Sequence, residues 1–192
     1  MARWYTADLH FGHARISEYC SRPFADVAAM NEGLIANWNA TVAHEDTVWV
    51  LGDVAMGHIA ETLPLVRQLH GRKVLVPGNH DRCWQGHGAK AAKWDSVYRE
   101  AGFAEILHGR VEILLEDVPV RICHFPYQRP DGPCEKYHPW RPRPDGGWLV
   151  HGHVHEAWHV RDKQFNVGVD VNDYHPVSVG EILRVIRSSA PA

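Results

Sequence analysis

Val48-Trp49-Val50-Leu51-Gly52-Asp53 is the stretch on which the fold turns. Four apolar residues in a row, with no polar alternation, read as a strand buried on both faces, the pattern of a parallel sheet covered on either side. The glycine lets the backbone turn sharply, so the Asp53 carboxylate is aimed off the strand end into a crevice. Residues 3–7 and Val74-Leu75-Val76 repeat the arrangement. Asp8-Leu9-His10 follows the first, and Gly78-Asn79-His80-Asp81 follows the second.

Helical segments separate these strands. Asp26 is placed to cap a helix carrying Val27, Met30, Leu34 and Trp38 on one face. A second is expected from about Thr62 to His70, with Pro64 in its first turn and Gly71 as a stop, and a third over 90–101. The later chain is mostly strands. Val111 to Leu115 and Val118 to Cys123 form a hairpin around Glu116-Asp117 that ends at His124. Trp148-Leu149-Val150 leads into His151, Phe165 to Val171 reads as a further strand, and Ser178 with Glu181 forms a capping box ahead of Ile182, Leu183 and Ile186. The 192 residues contain no repeat and no visible boundary, so 1–192 is read as one α/β domain. Open α/β sheets bind ligands beyond the carboxyl ends of their strands, which gathers the polar motifs into one site.

The motifs supply oxygen and imidazole nitrogen. Asp8 and His10, two apart, share a side of an extended chain, as do His151, His153 and His155 in His151-Gly152-His153-Val154-His155. Asn79 offers a neutral carbonyl oxygen. His80 is the candidate general acid, with Asp81 placed to orient its imidazole. Each motif alone has a structural alternative: a solvated Asp with a capping His, a turn at 78–81, or a satisfied histidine pair. Together, with fifteen histidines concentrated around them, they favour a dinuclear site for first-row divalent metals.

The series Asp-x-His, Gly-Asp, Gly-Asn-His-Asp, a lone His and Gly-His-x-His, intact from residue 8 to residue 155, resembles the calcineurin-like metallophosphoesterases. Asp-Leu-His-Phe-Gly-His at 8–13 and the short length are most similar to their compact bacterial and phage members. The resemblance implies a four-layer α/β/β/α sandwich, two mixed sheets flanked by helices, with two metals at the strand ends. It implies one metal on Asp8, His10, Asp53 and His155, and a second on Asp53, Asn79, His124 and His153, with Asp53 bridging. His80 is then the residue that protonates the leaving oxygen or stabilises the transition state. His13, Arg82 and His151 lie outside the shared pattern.

The charges agree with that chemistry. Two divalent ions bring four positive charges against one negative each from Asp8 and Asp53. A hydroxide between the ions leaves roughly +1 to meet a phosphate. Metals about 3.5–4 Å apart activate water and clamp an in-line displacement, which the very slow hydrolysis of phosphate esters requires. The donor set suits manganese, iron, zinc, cobalt or nickel without choosing among them, and manganese is the first expectation for the two ions. The expected activity is hydrolysis of phosphodiesters or phosphomonoesters. The alternatives are a nuclease acting on nucleic-acid ends, or a non-catalytic scaffold on the same fold, which would be expected to have lost ligands.

A formal charge of −3 argues against attraction of the whole molecule to nucleic acid or anionic membrane, so any such attraction must be local. Cys20, Cys83, Cys123 and Cys134 contain no Cys-x-x-Cys pair and read as reduced thiols of a cytoplasmic protein, with no signal peptide and no membrane span. Segment 126–147 holds six of the twelve prolines and is read as a structured surface loop. In it Arg129, Lys136, Arg141 and Arg143 alternate with Tyr127, Tyr137 and Trp140, a mixture suited to a nucleotide or nucleic-acid end. Asp131, Glu135 and Asp145 nearly cancel its charge, so an ordinary solvated loop is the competing description.

Overall fold

The doubly buried strand is where the two halves of the molecule meet. In the computed structural model, which describes residues 1–128 and 136–189, β1 (Arg3–Thr6), β2 (Thr47–Val50), β3 (Arg72–Leu75) and β4 (Phe103–Ile106) run parallel in that order. A short antiparallel strand, β10 (Val177–Ser178), closes the β1 edge. The second sheet is also five-stranded and mixed, in the order β5-β6-β7-β9-β8: β5 (Val111–Leu115), β6 (Val118–Ile122), β7 (Trp148–His151), β9 (Gln164–Asn166) and β8 (Val160–Arg161).

Successive residues of β2 feed different cores. Val48 and Val50 pack with Met30, Leu34 and Trp38 of the helix α2 (Val27–Thr41). Leu51 and Trp49 pack toward Ile122, Val150 and Phe165 of the second sheet, and this cluster also takes in Ile182, Leu183 and Ile186 of the last helix, α5 (Val179–Ser188). A strand with a core on each side has no position for a polar side chain, hence the unbroken apolar run. A smaller aromatic cluster of Trp84, Phe125 and Tyr127, with Leu149 and Tyr137, packs beside the loop after β6.

Both expected caps form. Asp26 accepts from the Ala29 amide at 2.8 Å, and Ser178 accepts from Glu181 at 3.1 Å. Three expected elements are shorter or different. The helix expected at 62–70 is a single α-turn, α3 (Ile59–Thr62), running into a 3-10 helix at Leu63–Gln68, because Pro64 has no N–H to donate to the turn before it. Two 3-10 segments, Gln85–Lys90 and Ala92–Trp94, precede a short α4 (Asp95–Glu100), with Gly88 at φ 69° interrupting the helical path. The strand expected at Phe165 to Val171 ends at Asn166, whose side chain takes the Gly168 amide at 2.8 Å and turns the chain into a 3-10 helix at Val169–Val171. A remaining one-turn helix, α1 (Ile16–Tyr19), follows the first motif.

No helix among the described residues is long and apolar enough to cross a membrane. Cys20, Cys83 and Cys123 are free thiols. Cys134, with Arg129, Asp131 and Glu135 of the proline-rich loop, lies outside the described residues.

Asp26→Ala should lower stability by about 1 kcal/mol through loss of the α2 cap. Urea denaturation should show the midpoint falling with the slope unchanged.

Candidate metal centre

Every motif sits beyond the carboxyl end of a strand. Asp8 and His10 follow β1, Asp53 follows β2, Asn79 and His80 follow β3, His124 follows β6, and His153 and His155 follow β7. The two sheets therefore deliver their motifs to one place, and they do so through turns. Asp8, His10, Asp53, His153 and His155 all have φ between 48° and 74°. That left-handed region costs most residues energy but is visited more readily by Asp and His. The extended-chain expectation for Asp8 and His10, and for the three histidines after Leu149, is thereby corrected. His153 and His155 diverge to different groups of ligands. His151 joins neither, since its Nδ1 bonds the Gly152 carbonyl at 2.6 Å and its ring lies against Trp158.

Two glycines make the convergence possible. Gly52, at φ 85°, adopts a conformation that only glycine takes cheaply, and a Cβ there would strike the Gly78 backbone. A Cβ on Gly78 would strike Asp53 Oδ1 and the His124 ring, where it would meet Nδ1 at 2.7 Å.

The ligand atoms fall into two sets. Asp8, His10 and His155 bring donor atoms within 4.8 Å of one another, and so do Asp53, His124 and His153. Asp53 joins the sets: its Oδ1 accepts the His80 amide at 2.9 Å, while its Oδ2 lies 3.6 Å from His10 Nε2 and 3.5 Å from His124 Nε2. Asn79 Oδ1 is 3.2 Å from His124 Nε2. All seven residues expected as ligands are brought together.

The chemistry of these atoms fits cations. His124 Nδ1 faces the Leu51 carbonyl at 2.7 Å and must carry its proton there, leaving Nε2 as a bare lone pair. That lone pair confronts Asp53 Oδ2 and Asn79 Oδ1, which are also acceptors. Asp8 Oδ1 and both ring nitrogens of His10 are buried without a hydrogen-bond partner. Burial raises the Asp8 carboxyl to about 6, and burial with the neighbouring Asp81 charge raises Asp53 well above the carboxylate range. Burial likewise lowers His10 and His124, and takes His153 down to about 2. Buried acceptors facing one another are costly in isolation and are satisfied by metal ions.

Several supporting residues gave no signal in the sequence. Burial pushes His155 down, but its Nδ1 bonds Asp170 Oδ2 at 2.8 Å, and that carboxylate, with Cys20 and Asp8, holds the imidazole up to about 11. The fully buried Arg22 clamps Asp170 at 2.7 and 3.1 Å and donates to the Asp8 and Leu9 carbonyls at 2.7 and 2.9 Å. A partner on the far nitrogen fixes a ligating histidine's tautomer and direction. Arg22 and Asp170 are 148 residues apart, so no local pattern announces them.

Asp81 is placed differently from expectation. Its Oδ2 accepts the Asp53 and Gly78 amides, both at 2.8 Å, and its Oδ1 accepts the Val54 amide at 3.1 Å and the Tyr98 hydroxyl at 3.2 Å. With four donors bound it does not orient the His80 ring; it fixes the loops after β2 and β3. The His80 side chain is 42 % exposed against 2 % for Asp53 and 1 % for His124. Its Nε2 is 3.9 Å from Asp53 Oδ2, so it overlooks the site from the solvent side. Burial and the rings of His124, His13 and His155 lower it to about 4, making it a neutral imidazole with one N–H.

The calcineurin-like phosphoesterase family model matches residues 1–157, a span that contains every one of these motifs. The chain belongs to that family. It is 32 % identical over 187 residues to the Gene 66 protein of Mycobacterium phage L5, covering 87 % of this chain and 86 % of the phage protein. It is 31 % identical over 191 residues to an uncharacterised protein of Methanocaldococcus jannaschii, covering 94 % and 89 %. A protein of unknown function from Aquifex aeolicus superposes with a TM-score of 0.69 at 25 % identity, over 96 % of this chain and 98 % of its own.

Asp170→Asn removes the anion behind His155 while keeping its shape. Manganese titration should show the first set weakened by about 10- to 100-fold, and the second much less. The thermal midpoint measured alongside separates this from loss of the Arg22 pair.

Proposed function

We propose that the protein hydrolyses phosphate esters with two divalent metal ions, manganese first among them, held on the four-layer form of the family fold. Asp8, His10, Asp53 and His155 would hold one ion, and Asp53, Asn79, His124 and His153 the other. The observation that carries this reading is the Asp53 carboxylate, with Oδ2 between His10 and His124 and within the reach of both sets. Bound there, the ions would supply Lewis acidity toward the phosphoryl oxygens and a nucleophile from water at neutral pH.

The remaining work belongs to the chain. Arg22 and Asp170 hold the first set in place, the Leu51 carbonyl fixes the His124 tautomer, and Asp81 holds Asp53 and Asn79 in register. His80 faces the open side, where a neutral imidazole donates its N–H to the leaving oxygen; this supports a transition-state contact rather than a standing acid. The substrate is a phosphodiester or phosphomonoester, with a nucleotide or nucleic-acid end as one class that the aromatic loop would suit. Retention of the complete ligand set and of His80 favours an enzyme over a scaffold.

The manganese-loaded protein should hold two ions per chain by elemental analysis and turn over bis-p-nitrophenyl phosphate or p-nitrophenyl phosphate. Loading of one ion, or no turnover of either ester, would reject the dinuclear hydrolase. Asp53→Asn touches both sets and should lower metal content and activity more than Asn79→Ala does. Equal and mild effects would mean that Asp53 is not the bridge.

His80→Ala should keep both ions while lowering kcat by about 10²–10⁴-fold. The loss should be smaller for p-nitrophenyl esters, whose leaving oxygen needs little help, than for alkyl or nucleoside esters. Loss of metal in this variant would instead make His80 a ligand.

A further inference from the structure

Beside His80 and the candidate ligand Asn79 lies a pocket of about 200 Å³. Met56, Gly57 and Ile59 line one part, and Asn79, His80, Arg82 and His87 line the rest. The lining contains a permanent cation and two imidazoles but no carboxylate. Arg82 is exposed and makes no ion pair among the described residues, unlike Arg22, Arg72, Arg121, Arg161 and Arg187.

Arg82 is nevertheless fixed at its base. Its amide donates to the Tyr98 hydroxyl at 3.0 Å, and that hydroxyl donates to Asp81, the carboxylate that also holds Asp53 and Gly78. The start of the Arg82 side chain is thus tied to the metal centre. The His87 amide donates to the Trp84 carbonyl at 3.0 Å, and its ring stands edge-on to Trp84 at 5.3 Å, itself packed against Phe125 and Trp140. The result is an exposed guanidinium, anchored at its backbone and without an ion pair among the described residues, that lines the same pocket as His80.

We infer that this pocket is the leaving-group subsite, and that Arg82 selects substrates whose leaving group carries a further phosphate. The inference rests on the phosphoesterase reading, in which His80 serves the leaving oxygen. A guanidinium reads a phosphate through paired N–H donors, and Met56 and Ile59 give an apolar wall for the body of the leaving group. The bond changes are those of hydrolysis. The water oxygen bonds to phosphorus, the bond to the leaving oxygen breaks, and that oxygen leaves with one of the water's two protons. Arg82 takes no part in bond making. The required chemistry occurs in phosphoanhydrides, and in a nucleic-acid strand where the departing nucleoside bears the next phosphate.

Steady-state kinetics of the manganese-loaded full chain separates these sources. For the strand, the substrates are TpT, pTpT and TpTp, which differ only in a terminal phosphate. For the anhydride, ADP is compared with p-nitrophenyl phosphate. In wild type, one of the phosphate-bearing substrates should be preferred over its plain partner. Arg82→Ala should lower that preference, as a ratio of kcat/KM values, by about 10- to 100-fold, chiefly through KM. Arg82→Lys should restore part of it. A ratio unchanged by Arg82→Ala, or no preference in wild type, overturns the assignment while leaving the hydrolase reading standing. Absence of turnover of every ester by wild type overturns both.

Discussion

One buried carboxylate organises the centre. Asp81 receives three backbone amides and a tyrosine hydroxyl, drawn from the ends of two neighbouring strands and from α4. Burial disfavours its charge, and the hydrogen bonds from the Gly78, Val54 and Asp53 amides oppose that penalty. The loops after β2 and β3 are therefore held at one separation, the one that puts Asp53 and Asn79 side by side. Gly52 and Gly78 allow the same two loops to approach without a side chain between them. Removing the anchor would free several backbone donors at once in a place where water cannot reach them.

A second framework operates from the opposite side. Arg22 spans from the turn after β1 to Asp170 in the turn after β9, and so ties the backbone of Asp8 to the partner of His155. Such a pair is expensive to bury and is poor evidence of stability by itself. Here its value is geometric. It keeps Asp8 and His155, from two sheets, aligned with one another, and it raises the basicity of the His155 imidazole.

Much of this was legible in the sequence. The apolar run at 48–51, the α2 face and both helix caps were set by local periodicity and capping chemistry, which need no tertiary knowledge. The candidate ligand residues stand out in the sequence because each motif follows a strand, and the family match spans all of them. One group of differences has a single cause: alternation along an extended chain does not hold where the chain turns left-handed, as at His10, His153 and His155. Asp81 was misassigned because adjacency to His80 in sequence suggested contact, whereas its oxygens face inward to amides. Arg22, Asp170 and Tyr98 could not be found, since their partners are set by distant chain crossings. Strands β4, β8 and β10 are two to four residues long, too short for any periodic pattern.

Neither proposed ligand set is confined to one sheet. The first takes Asp8, His10 and Asp53 from the first sheet and His155 from the second, while the other takes Asp53 and Asn79 from the first and His124 and His153 from the second. Each ion position therefore lies across the seam between the halves of the chain. A nascent polypeptide has no complete set until residue 155 has left the ribosome and the second sheet has closed on the first. On the proposed ligand sets, metal acquisition would be a late step of maturation, in which the folded cavity and the ions at hand would decide what is taken up. On the same proposal each ion would act as a rivet, and chelation would be expected to loosen the joint between sheets before either sheet's own ladder.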